Sequence, residues 1–173
     1  MKYTSLSQSS PWRADNNLNQ RSLDEILRPL MTGGGSLTSA LMELSEGSFN
    51  VNVLDQRIAI PKWHEQRKLD RPPSRAAMIR QVELKIKGEA VVYARSIIPL
   101  ALVLNGRSGL ANLGRTPLGH LLFKDGNIRI SKREFTEFKL AEMTIPARRT
   151  PYDYQGSRVL VTELFLPALA KWL

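Results

Sequence analysis

Cysteine is absent from the chain, and histidine occurs only twice, at His64 and His120. The first absence removes disulfides, thiol nucleophiles and cysteine-based metal sites. Two histidines so far apart argue against a histidine-rich zinc or iron centre and against a Ser-His-Asp triad. Aromatic residues make up 7% of the chain, which offers no obvious array for stacking nucleobases. No apolar run approaches the roughly 18–20 residues needed to cross a bilayer. The longest, 97–104 and 159–169, are interrupted by proline or glutamate. The first residues, M-K-Y-T-S-L-S-Q-S-S-P-W-R, carry no apolar signal core, so the expectation is a soluble, cytoplasmic protein. Any chemistry falls to Arg, Lys, Asp, Glu, Tyr, Ser, Thr or the backbone.

What is present suits one globular domain. The 173 residues are 42% hydrophobic, enough for a substantial core. The formal charge is +9, from 25 basic and 16 acidic residues. Such a surface attracts anions, whether nucleic acid or small dianionic metabolites. The basic residues are dispersed, with small clusters at Lys132-Arg133 and Arg148-Arg149, so charge does not choose between them.

Residues 1–20 are polar and read as an extended or loosely packed arm, with one domain over 21–173. Ser22 to Glu25 has the form of a capping box, so a short helix is expected from there to about Leu30. Gly33 to Gly35 break it, and Ser36 caps a second helix with Leu37, Leu41 and Leu44 on one side. Alternation over Phe49, Val51 and Val53 predicts a strand reaching toward Ile60. Residues 61–75, charged and carrying Pro61, Pro72 and Pro73, read as loop. Ala77–Ile86, a turn at 87–89, and Ala90–Ile98 predict a hairpin. Thr116-Pro117 opens another short helix. Residues 128–140 contain strand-like stretches, 144–157 read as loop, and 159–166 as a central strand ending at Pro167. The expected architecture is α+β: a single antiparallel sheet with short helices covering part of it.

Three charges fall where alternation predicts a core. Arg80 shares a face with Met78, Val82, Leu84 and Ile86, and the face bearing Gln81, Glu83 and Lys85 reads as the wet one. Arg95 lies with Val91, Tyr93 and Ile97, and Glu163 with Val159, Val161 and Phe165. A core-facing charge is costly unless paired. One account is a structural ion pair of Arg80 or Arg95 with Glu163. The other is a partly dry cavity, lined by both signs of charge, for a ligand with its own carboxylates. The helix starts at Ser36-Leu37 and Thr116-Pro117-Leu118 add backbone N–H groups suited to an anion, or serve only as capped helix ends.

Four segments carry a resemblance. G-R-T-P-L-G-H-L-L-F at 114–123 and L-V-T-E-L-F-L-P-A at 160–168 resemble the signature segments of the bacterial chorismate lyases, also called chorismate pyruvate-lyases. R-Q-V-E-L at 80–84 and G-E-A-V-V-Y-A-R-S-I-I-P at 88–99 are similar to that family's central hairpin, in matching order and spacing over roughly residues 20–170. The resemblance implies about six antiparallel strands with helical flaps over a buried ligand site. It also implies cleavage of chorismate to 4-hydroxybenzoate and pyruvate without a cofactor or metal, the first committed step of ubiquinone biosynthesis in many bacteria. Arg80 and Glu163 match the family's essential arginine and glutamate, the expected catalytic pair. Leu118 matches a backbone donor to the ligand carboxylate, and Leu37 falls where relatives carry methionine, the other backbone donor; all four are expected to bind substrate. Arg95 and Arg149 are further candidates for the enolpyruvyl carboxylate, and His120 reads as a surface or flap residue. The expected partners are chorismate and 4-hydroxybenzoate, with a monomer and no nucleic acid or membrane insertion. The alternative is a non-catalytic effector-binding domain that senses small carboxylates on the same fold.

Overall fold

Period-two burial shapes most of this chain. The computed structural model describes residues 7–8, 11–14, 27–69, 74–105, 109–124, 126, 128–140 and 142–173. Six long strands carry the architecture: β2 (Phe49–Ala59), β3 (Ala77–Ile86), β4 (Glu89–Pro99), β6 (Glu134–Leu140), β7 (Met143–Tyr154) and β8 (Ser157–Phe165). Two short ones, β1 (Ser7–Gln8) and β5 (Ile128–Ile130), extend them. All neighbours are antiparallel, in the order β1-β6-β7-β8-β4-β3-β2, with β5 paired to the far end of β7. The α+β class and the antiparallel sheet are as the sequence predicts.

The strands β3 and β4 form the expected hairpin, turning at Lys87 and Gly88, both with positive φ. Strand β8 sits between β7 and β4, in the interior of the sheet. Five short helices accompany the sheet: α1 (Arg28–Thr32), α2 (Leu37–Leu44), α3 (Trp63–Gln66), α4 (Leu100–Leu104) and α5 (Leu118–Lys124). Among the described residues, no helix is long and apolar enough to cross a membrane. The predicted helix–glycine–helix unit is α1, Gly33–Gly35 and α2. Ser36 caps α2 by accepting a hydrogen bond from the Ser39 N–H at 3.4 Å. The Ser22–Glu25 capping box lies outside the described residues.

Four expectations are corrected. Residues 144–157, read as loop, are mostly the twelve-residue strand β7. Its prolines obscured it, and the pairing explains why they are tolerated. Pro146 lies beyond the end of the β8 pairing, which begins at Ala147, and Pro151 lies where the outer neighbour changes from β6 to β5. At Pro146 the β8 neighbour is missing, so no bond to it is lost, while Pro151 sits where the outer partner changes and its carbonyl still accepts from the Ser131 N–H at 2.9 Å. Within 61–75, the segment Trp63–Gln66 is helical, closed by the Glu65 carboxylate accepting from the Lys62 N–H at 2.8 Å. Helix α5 begins at Leu118, after Pro117 rather than on it. Finally, the face of β3 read as wet is covered: Ile79 is 2% and Glu83 8% exposed. Both faces of the sheet are therefore core. One packs Val82, Leu84, Val92 and Phe165 against Met31 and Leu41; the other packs Ile79, Ile97 and Leu160 around Leu69.

Candidate active site

Residues paired across neighbouring strands send their side chains to the same face. Arg80 pairs with Ser96, Ser96 with Val161, and Ala94 with Glu163, so Arg80 and Glu163 share the face beneath α2 and α5. Between that floor and the two helices lies an internal cavity with about 40 Å³ of room for the centres of water-sized molecules. All four predicted site residues line it: Leu37 and Leu118 at the helix starts, Arg80 and Glu163 on the floor. The helices approach closely there. A Cβ on Gly119 would lie 3.0 Å from Thr38 Oγ1 and 3.3 Å from Ser36 Oγ, so any larger residue would require those side chains to give way. A wider, open pocket of about 370 Å³ lies outside and shares Val51 and Pro117 with the inner one. His120 lines that outer pocket and is exposed, matching the expected flap position.

Arg80 is 2% exposed, and its acceptors among the described residues are all neutral. Nη1 donates to Gln56 Oε1 at 2.7 Å, and Nη2 to the carbonyls of Gly114 at 2.9 Å and Thr116 at 3.3 Å. Burial lowers its pKa, and no carboxylate offsets that effect. Glu163 is also buried, but its partner is neither Arg80 nor Arg95. Arg148 donates from Nε to Glu163 Oε2 at 2.5 Å. The structural-pair account thus names the wrong arginines, and among the described residues no carboxylate forms an ion pair with Arg80. Arg148 itself is 1% exposed. Burial opposes its charge, and Glu163 outweighs that and raises its pKa. Its Nη1 donates to the carbonyls of Leu30 at 2.7 Å and Met31 at 2.9 Å, at the end of α1, where a cation satisfies orphaned carbonyls. Tyr152, another wall of the cavity, has its hydroxyl pKa raised by burial and then by Glu163.

Arg95 and Arg149, the candidates for a second carboxylate, lie on the opposite face. Arg95 pairs across the sheet with Gln81 and Thr162, and Arg149 pairs with Thr162 from the other side. Arg95 makes a two-pronged ion pair with Glu65 of α3, at 2.7 and 3.1 Å. Arg149 bonds Glu134 at 2.6 Å and stacks over Trp12 at 4.4 Å. Both therefore serve the back of the sheet. Arg148 is the residue that sequence reasoning missed. Its signal was available as one of two adjacent arginines placed on opposite faces, but a segment read as loop has no faces.

The architecture defines a class first. An antiparallel sheet roofed by short helices, with a cavity between them lined by a buried arginine and a buried glutamate, defines an α+β domain with an internal pocket. Solved structures share the fold: the effector domain of PhnF from Mycobacterium smegmatis (TM-score 0.57, 12% identity, 78% of this chain and 90% of that one). A second is the ligand-binding domain of a putative GntR-family transcriptional regulator from Bordetella bronchiseptica (0.54, 12%, 69% and 86%). At those identities the likeness is one of fold alone. The sequence comparison is narrower. The chorismate lyase family model matches residues 6–172, and the chain belongs to that family. Its similar curated proteins are named probable chorismate pyruvate-lyases. Those of Aromatoleum aromaticum (33% identity, 83% of this chain, 85% of that one) and Halorhodospira halophila (36%, 80% and 80%) are two of them. That of Alcanivorax borkumensis is a third (34%, 92% and 77%).

Proposed function

We propose that this protein cleaves chorismate to 4-hydroxybenzoate and pyruvate in the cytoplasm, as the first committed step of ubiquinone biosynthesis. The observation that carries the reading is Arg80: a cation 2% exposed, lining a cavity, with only neutral acceptors. A buried ion without a partner costs several kcal/mol, and a ligand carboxylate removes that cost. Family membership supplies the substrate.

The chemistry needs little from the protein. The C3–O ether bond breaks, the proton on the hydroxyl-bearing C4 is lost, and enolpyruvate departs, taking up a proton to become pyruvate. The ring becomes aromatic, which provides much of the driving force. Binding, orientation and stabilisation of charge on the departing enolate remain. Arg80 takes the ring carboxylate, a charged acceptor that outcompetes the Gly114 and Thr116 carbonyls. The backbone N–H groups of Leu37 and Leu118 hold the same carboxylate from above. Glu163, held in place by Arg148, accepts a hydrogen bond from the 4-hydroxyl. The cavity's 40 Å³ is room for about three waters, well short of an aromatic acid. Helices α2 and α5 must therefore part to admit substrate, and reopening would limit product release.

Incubating the purified protein with chorismate, without added metal or cofactor, tests the proposal. Equal amounts of 4-hydroxybenzoate and pyruvate are expected, with a burst of product before a slower steady state. Binding of 4-hydroxybenzoate without turnover would instead make the chain a ligand sensor on this fold.

A further inference from the structure

Chorismate is a dianion, and the site described so far neutralises one of its charges. Arg80 faces the ring carboxylate, while the charge of Arg148 is already matched by Glu163. A second cation is needed for the enolpyruvyl carboxylate, and the two arginines first considered for it are on the other face. The register of the sheet identifies another. Arg80, Ser96, Val161 and Thr150 form one cross-strand row on the cavity face. Glu134 pairs with Arg149, and Arg133 lies just outside that ladder, between Ser131, whose N–H donates to the Pro151 carbonyl, and Glu134.

We infer that Arg133 binds the second carboxylate of a dianionic substrate, from beside Arg148 and behind the Glu163 and Tyr152 wall of the cavity. The inference rests on the lyase reading for the identity of that substrate. Its geometric support is independent. Glu163 on the cavity wall is bonded by Arg148, and Arg133 reaches the carbonyls that follow those held by Arg148. Arg133 is turned toward the flap, since its Nη1 donates to the Thr32 carbonyl at 3.0 Å and also to that of Gly33. Arg148 reaches the two preceding carbonyls, so the two guanidinium groups lie side by side under the end of α1.

The remaining donors of Arg133 make the case specific. Its Nε and Nη2 are both buried and both lack a hydrogen-bond partner, as does Nη2 of Arg148. Nε and Nη2 are the parallel pair with which an arginine grips a carboxylate through two hydrogen bonds. Unmade hydrogen bonds from buried donor atoms are costly, and a carboxylate seated there satisfies them. Tyr152, on the cavity wall, feels the charges of both arginines, which places them within electrostatic reach of the cavity. The product 4-hydroxybenzoate lacks the second carboxylate, so Arg133 distinguishes substrate from product. Once pyruvate has left, nothing engages it.

The test compares Arg133→Gln and Arg133→Lys with the wild type, measuring kcat/KM for chorismate and, by calorimetry, Kd for 4-hydroxybenzoate. Arg133→Gln is expected to lower kcat/KM about 100-fold through KM while changing the 4-hydroxybenzoate Kd less than threefold, and Arg133→Lys to recover at least tenfold of the loss. Equal losses for both ligands would mean that Arg133 only anchors the flap, and an unchanged kcat/KM would also overturn the subsite. A second measurement needs no variant: the wild type should bind 3-(carboxymethoxy)-4-hydroxybenzoate at least tenfold more tightly than its side-chain methyl ester, and equal affinities would overturn the inference. A wild type that cleaves chorismate but fails this comparison loses only the subsite. One that neither cleaves nor binds chorismate loses both readings.

Discussion

The two faces of the sheet both bury charge, but they treat it differently. Behind the sheet, Arg95 is matched by Glu65, Arg149 by Glu134, and Glu134 also by Lys68 at 2.7 Å. In front, one pair, Arg148 with Glu163, stands between two arginines whose described partners are all neutral. The back is a closed network that needs nothing further. The front carries an excess of positive charge in and beside the cavity, which a carboxylate ligand would neutralise. Buried charge alone therefore does not mark a function; buried charge left unmatched beside a cavity does.

The sharpest way to break this comparison is to remove front-face charge. Arg80→Ala should lower kcat/KM for chorismate about a thousandfold, on the order of 4 kcal/mol, with little change in melting temperature. A large fall in melting temperature with near-normal turnover would put Arg80 in the same structural class as Arg95. Glu163→Gln should cost activity while folding normally. Glu163→Ala should also destabilise, because it strands the Arg148 cation in the core, and calorimetric unfolding of the two variants separates these effects.

The converse applies at the back. Arg95→Ala removes one partner of a buried pair and should destabilise by about 3 kcal/mol, or roughly 9 °C in melting temperature for a domain of this size. Activity per folded molecule should stay within about twofold. Loss of turnover without loss of stability would erase the distinction between the faces.

Acid should strike the back face next. Burial alone would raise the pKa values of Glu65 and Glu134, but hydrogen bonds from Arg95 and from Lys68 and Arg149 bring both below the usual 4.5. Groups with lowered folded pKa values stabilise fully above the unfolded value and lose that contribution as pH falls through the folded one. Stability from this network should therefore hold at neutral pH and fall below about pH 4.5, and Glu65→Gln should flatten that part of a denaturation-against-pH curve. A curve of unchanged slope would show that the network does not set acid stability.

The smallest expected effect is at the roof. Ser36→Ala removes the cap of α2 and should cost about 1 kcal/mol of stability. If α2 is a moving flap, the same change should speed product release in stopped-flow more than it lowers the melting temperature suggests. An unchanged release rate would make α2 a fixed wall.

Residue order alone determined a good deal here. Alternation over 77–98 placed Arg80 and Arg95 toward buried surfaces, the glycines at 33–35 separated two helices, and the motifs at 114–123 and 160–168 identified the family. These features are local, and period and turn chemistry express them within a few residues. What alternation leaves open is which side of a sheet a core-facing residue occupies, since that depends on partners far away in the chain. Only the register of β3, β4, β8 and β7 put Arg80, Glu163 and Arg148 on one face and sent Arg95 and Arg149 to the other. Strand β7 stayed hidden for the same reason: its two prolines look disqualifying until the positions of β5, β6 and β8 show that one lies beyond the β8 pairing and the other where the outer partner changes. Whether a buried charge is matched is likewise a question of distance between strands, which pairing in three dimensions decides and order along the chain does not.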